Sequence, residues 1–167
     1  MLIHKLLAVT AVATLAFLGS ASAQEATFST KSLKPEIAVE LAQAALADCR
    51  KRGFQVAVSV VDRAGNLQVT IRDQLAGAHT PETARRKAWS AVSFRTPTLE
   101  LESLIKSGEL SPTILHVPGA LMVGGGVPVE AAGSILGGIG ISGAPGGDHD
   151  QACALAGIES IADKIEF

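Results

Sequence analysis

The sequence predicts an α+β fold, a single antiparallel sheet with the terminal helices packed on it. Three observations carry this. "FQVAVSVVDRAGNLQVTIRD" sets alternating apolar residues on either side of a glycine-containing turn. Apolar stripes at helical spacing occupy residues 35–52 and the segment from 148 onward. The elements between them run hairpin, helices, then strands.

Taken in order, Pro35 to Arg52 reads as the first helix. Pro35 suits the first turn, Gly53 ends it, and Ile37, Leu41, Ala44, Ala45 and Cys49 make its apolar stripe. The hairpin follows, with Val56, Val58, Val60 and Leu67, Val69, Ile71 flanking Asp62 to Asn66. Asp62 is expected to bond the turn backbone through its own carboxylate. After a loop from Gln74 to His79, Thr80-Pro81-Glu82 opens a second helix, with Thr80 as its cap. Its stripe of Ala84, Ala88, Ala91 and Val92 is small enough for close packing. A third helix spans Thr98 to Ser107 and stops at Gly108. Thr113 to Val129 reads as two or three short strands with tight turns, and Ser134 to Ser142 as another strand. The last helix is expected to run from Asp148, as N-cap, to near the end, with Gln151 completing a variant capping box. Ala154, Ile158, Ile161 and Ile165 form its stripe, with Cys153 beside it.

The N-terminus reads as a secretory signal. Met1 to Lys5 is basic, Leu6 to Leu18 is apolar, and Ala21-Ser22-Ala23 is an A-x-A cleavage site. The alternative is a membrane anchor, but the run is short for a span of about 20 residues. Removing residues 1–23 of the 167 leaves 144, an exported chain with a flexible segment over 24–34 and one domain over 35–167. Without Lys5, 13 basic residues face 16 acidic ones, and no basic stripe points to nucleic acid. No later segment reads as a membrane span. Cys49 and Cys153 in an exported chain suggest one disulfide; two buried thiols on separate helices are the alternative.

The stretch "GGIGISGAPGGDHD" contains GxGxxG at Gly138, Gly140 and Gly143. A dinucleotide fingerprint needs a strand before it, a helix after it, and then another strand. Here the motif lies inside the strand, and the chain stops at Phe167 on the following helix, so that reading fails. Gly140-Ile141-Ser142-Gly143 approaches the G-x-S-x-G elbow, but Ala144 holds the fifth place. A small anion at "GAPGGD" and a turn that lets backbones approach are the readings that survive.

Of the histidines beyond the leader, His79, His116 and His149, none has zinc-motif spacing. Asp148, His149 and Asp150 form a weak candidate metal set, although helix capping accounts equally well for the aspartates. His79 just precedes the second helix and is a candidate ligand. His116 reads as a sheet residue.

Three segments together, "AVSVVDRAGNLQVTIRD", "TARRKAWSAVSF" and "ILGGIGISGAPGGDHDQACALAGI", resemble the haem-binding GlcG/HbpS family, the DUF336 domain. The resemblance covers nearly all of Pro35 to Ile165. It implies a profilin-like topology, homo-oligomerisation and, for characterised members, haem binding, with haem degradation or iron binding in some. Asp62, Gly65, Arg72, Lys87, Gly140, Gly143, Gly146 and Asp148 fall in its recurrent motifs, most of them architectural. The loop "RDQLAGAHTPET" is longer than the family's usual one and carries His79. The expectation is therefore an exported, periplasmic or secreted, haem or tetrapyrrole binder. His79 would approach the iron, and Arg72 or Lys87 would pair with propionates. A cofactor-free enzyme or binding protein for a small organic acid, and an oligomeric accessory protein, are the alternatives.

Overall fold

A computed structural model of the chain describes residues 26–166. The leader expected over residues 1–23 lies outside the described residues. The elements are α1 (Pro35–Lys51), β1 (Ala57–Asp62), β2 (Leu67–Arg72), α2 (Thr80–Phe94), α3 (Thr98–Ser107), β3 (Gly126–Ala131), β4 (Ser134–Ser142), α4 (Gly147–Glu159) and α5 (Ala162–Ile165). A 3-10 turn, Pro112–His116, follows α3.

The four strands form one antiparallel sheet in the order β2-β1-β4-β3. Val56, Val58 and Val60 point to one face with Ile139, Ile141, Val127 and Val129. There they are buried against Leu41, Ala45 and Cys49 of α1 and Cys153 and Ala154 of α4. Alternate residues face the other way, as the pleat requires. That second face is covered by α2 through Ala88 and Val92, which meet Val61. The α+β architecture with helices on the sheet is therefore as expected from the sequence.

The glycines of β3 and β4 explain how α2 sits so close. A Cβ on Gly140 would lie 2.1 Å from the Ala84 carbonyl oxygen and 2.6 Å from the Ala88 nitrogen. One on Gly126 would lie 2.3 Å from the Lys87 carbonyl oxygen. The helix backbone thus rests directly on bare strand backbone, a contact that the alanines of α2 make possible from the other side. The glycine run is a seat for α2.

Three sequence expectations change. Thr113 to Val129 contributes one strand, β3, rather than two or three, and His116 is an exposed residue of the 3-10 turn rather than a sheet residue. The reason is where the backbone polar groups of residues 117–125 go. Arg86 donates to the Ala120 carbonyl at 2.6 Å, and the Ser90 hydroxyl accepts from the Leu121 amide at 2.8 Å. Thr98 donates to the Val123 carbonyl, and Glu102 accepts from the Gly124 amide. Side chains of α2 and α3 satisfy this segment, so it needs no strand partner. Its Ala120 and Met122 join Leu101 in a satellite core. The last helix starts at Gly147 with Gly146 as its N-cap, two residues before the Asp148 cap expected, and no side chain caps it. It also breaks at Ser160 and Ile161 before α5. Finally, the segment expected to be loose is tied down at its end: the Leu33 amide donates to the Leu136 carbonyl at 3.1 Å, and Leu33 itself is buried.

Cys49 and Cys153 form a disulfide between α1 and α4, with Cα atoms 5.4 Å apart. Both sulfurs lie in the main core.

This packing can be probed at two points. Gly140→Ala should destabilise the fold by about 3 kcal/mol or more, because backbone rather than a flexible side chain must give way; urea unfolding of the variant checks this. Reducing the bridge should cost up to about 4–5 kcal/mol, as expected for a loop of about 100 residues; the check is the shift in urea midpoint with reductant.

Candidate functional site

The site forms where α2 and α4 both begin. Its first wall is the loop from Asp73 to His79. Asp73 is buried, accepting from the Arg50 Nε at 2.7 Å and the Val56 amide at 3.3 Å. Arg72 donates to the Ala76 carbonyl at 2.8 Å, closing the loop on itself. Thr80 does not cap α2 as expected; its hydroxyl donates back to the Gly77 carbonyl at 2.8 Å. His79 occupies the cap position with its side chain unbonded, and its ring lies over Gly77. A Cβ on Gly77 would come within 2.7 Å of the ring, so glycine there leaves the imidazole its place.

The opposite wall is the turn Gly143 to Gly147. The first three amides of α4, on Gly147, Asp148 and His149, have no acceptor within their own helix, whose first bond runs from the Asp150 amide to the Gly146 carbonyl. Between the walls lies a cleft of about 350 Å³, lined by His79, Thr83, Val123 and the Gly143 to Gly147 turn.

Its floor is an ion pair. Lys87 donates to the Asp150 carboxylate at 2.8 Å and to the Ile141 carbonyl at 2.9 Å. The other Asp150 oxygen accepts from the Ala144 amide at 3.0 Å. Lys87 is 2% exposed and Asp150 3%. Burial pushes the Asp150 carboxyl above the usual carboxylate range, while the Lys87 ammonium and the Ala144 amide pull against that rise. The pair ties α2, β4 and the start of α4 together beneath the cleft.

The residues expected to act together are dispersed by this geometry. His79 stands on the cleft wall. Arg72 braces the loop behind it and does not line the cleft. Lys87, expected to pair with propionates, is instead buried and committed to Asp150. Asp148, His149 and Asp150 separate because successive helical residues fan about 100° apart. Asp150 turns inward, His149 packs on Phe54 with ring centroids 5.3 Å apart, and Asp148 is exposed. Among the described residues no group of three or more His, Cys, Asp or Glu side chains is placed to hold a metal ion.

The family described as haem degrading protein HbpS-like matches residues 33–159, from the anchored Leu33 to the end of α4. The chain belongs to the HbpS-like family. The crystal structure of a double mutant of Streptomyces reticuli HbpS superposes with a TM-score of 0.76 at 41% identity, covering 91% of this chain and 99% of that one. The crystal structure of a PduOC:heme complex aligns with a TM-score of 0.71 at 30% identity, over 78% of this chain and 95% of that one. Among curated proteins, the corrinoid adenosyltransferase PduO of Citrobacter freundii is 37% identical over 106 residues, which are 62% of this chain. The HbpS-like chain spans about a third of the length of such curated relatives, 32% for this one.

Removing the cation from the floor tests its role. Lys87→Met should cost about 3–5 kcal/mol at neutral pH, because it strands a buried carboxylate. In this variant the folded state holds the Asp150 proton more tightly than the unfolded chain does. The loss should therefore shrink as pH falls through the raised folded value toward the ordinary aspartate range. Urea unfolding from about pH 4 to pH 8 would show this, and a loss independent of pH would contradict it.

Proposed function

We propose that the protein binds haem or a closely related tetrapyrrole in the cleft between the starts of α2 and α4, with His79 as the iron ligand. The observation that carries this reading is the imidazole itself. It is exposed on the cleft wall, and neither ring nitrogen has a protein partner among the described residues. An imidazole is a common haem-iron ligand. Membership of the HbpS-like family and a relative solved as a haem complex support the ligand class.

The residues fit such a group at three points. His79 offers the nitrogen donor. Gly143, Gly146 and Gly147 keep one wall low, with Ala144 and Pro145 as its only side chains, which suits a flat ring. The unsatisfied first-turn amides of α4 offer donors for the ring's carboxylates, a task that Lys87 is not free to perform. The group, when bound, supplies an iron centre for electron or oxygen chemistry. The chain's part is to hold and orient it: Asp73, Arg50 and Arg72 fix the loop from which His79 projects, and the Lys87–Asp150 pair fixes the opposite turn.

This reading extends to an exported protein, on the strength of the leader over residues 1–23, acting in the periplasm or outside the cell in haem or iron handling. It also includes homo-oligomerisation, for which Leu67, Leu75, Leu115 and Leu155 offer exposed apolar surface. Among the described residues no helix is long and apolar enough to cross a membrane.

Titrating the chain, freed of residues 1–23, with haemin in the Soret region tests the central claim. A saturable shift is expected, and His79→Ala should abolish it or change its ligand-field signature. A shift identical in the variant would move the iron ligand away from His79. No shift in the wild type would overturn the reading.

A further inference from the structure

A second cleft lies at the other end of α2. It has a volume of about 490 Å³ and is lined by Arg63 from the β1–β2 turn, Ser93 and Arg95 from the end of α2, and Glu130 and Ser134 from the β3–β4 hairpin. The HbpS-like chain therefore places two guanidiniums, two hydroxyls and one carboxylate around a single polar depression. Nothing in the haem reading uses it.

The two arginines are held differently. Arg63 is anchored: one guanidinium nitrogen donates to the Ile135 carbonyl at 2.8 Å, which leaves its other N–H groups available. Arg95 has no side-chain partner among the described residues, although it stands in a conformation that ordinarily selects glycine. It closes α2 with φ 53° and ψ 36°, in the left-handed region. At the same cap position of α3 the chain uses Gly108, with φ of 81°, and α1 turns left-handed one residue beyond its cap, at Gly53 with φ of 83°. At α2 it accepts the strain of a side chain and sets a guanidinium at the cleft. The left-handed turn itself ends α2, with the Arg95 amide donating to the Ala91 carbonyl, and the side chain that the turn carries is left for a ligand.

The lining selects the class. Guanidinium forks match planar oxyanions, and they stay charged at every physiological pH. Two of them against Glu130 leave one net positive charge, which a monoanion neutralises, whereas a multiply charged phosphate would leave uncompensated negative charge beside Glu130. Glu130, Ser93 and Ser134 can all accept hydrogen bonds, so a donor on the ligand would be met. We propose that this cleft binds a small organic carboxylate carrying a hydroxyl or ammonium donor, gripped between Arg63 and Arg95.

Arg95→Gly provides a test that does not endanger folding, because glycine relieves the left-handed strain and should raise the melting temperature of the ligand-free protein. Lactate is the probe, followed by titration calorimetry against sodium chloride of equal ionic strength. Wild-type protein should show saturable binding to lactate, and Arg95→Gly should weaken it about tenfold or more, the loss expected for a charged hydrogen bond. Arg63→Gln should weaken it similarly. His79→Ala should bind lactate as the wild type does, and Arg95→Gly should titrate with haemin unchanged, which keeps this cleft separate from the first. Undiminished lactate binding by Arg95→Gly would overturn the proposal. So would an equal response to chloride, loss of lactate binding in His79→Ala, or inorganic phosphate binding in place of lactate.

Discussion

The whole arrangement rests on one close approach, the backbone of α2 lying on the bare glycine backbone of β3 and β4. Layers separated by ordinary side chains stand about 10 Å apart, whereas here the Ala84, Lys87 and Ala88 backbone comes within reach of the strand glycines themselves. That proximity is what lets a lysine in the middle of α2 reach both a β4 carbonyl and the first turn of α4. It also brings the Pro81 carbonyl within 3.4 Å of the Ser59 hydroxyl, which bonds Thr70 across the hairpin. With larger residues in the glycine seat, the pair beneath the cleft would lose its geometry.

The buried pair should be understood as a device of position more than of stability. Desolvating two charges offsets much of their attraction, so its net contribution is small even though losing one partner is costly. What it gains is specificity: one cation joins three elements that are far apart in sequence, at one point and in one orientation. The loop carrying His79 is held by a separate device, the Arg50–Asp73 pair, so the two walls of the cleft are braced independently.

Much of this is legible in the sequence where local chemistry decides structure. The hairpin, the bounds of α3 and β4 and the stripe of α2 follow from alternation, from helical spacing and from punctuation by glycine and proline. The segment from 113 to 129 defeats such a reading because its apolar residues look like strand, while its fate is set by Arg86, Ser90, Thr98 and Glu102, which lie up to 34 residues away. The candidate site divides the same way. His79 stands out from its place before a helix, but the partners of Lys87 and Asp73 do not. Complementary charges separated by 63 and 23 residues leave no local signature. Asp150 is visible only as one of three neighbours, and nothing in that tripeptide tells which of them turns inward.

The helix α2 gives the molecule a polarity, with a histidine cleft at its N-terminal end and an arginine cleft about 20 Å away, one 15-residue length along it. The chain around this axis is also closed in a way that strand order does not reveal. The bridge from Cys49 to Cys153 spans 104 residues, so β1 to β4, α2, α3 and both clefts lie within one covalent ring. A single cut anywhere in that ring, including the exposed turn from 111 to 119, leaves both fragments joined and every layer still tethered. In the oxidising compartment proposed for this protein, where proteases are met without the shelter of the cell, such a nick would open the chain without releasing a piece of it.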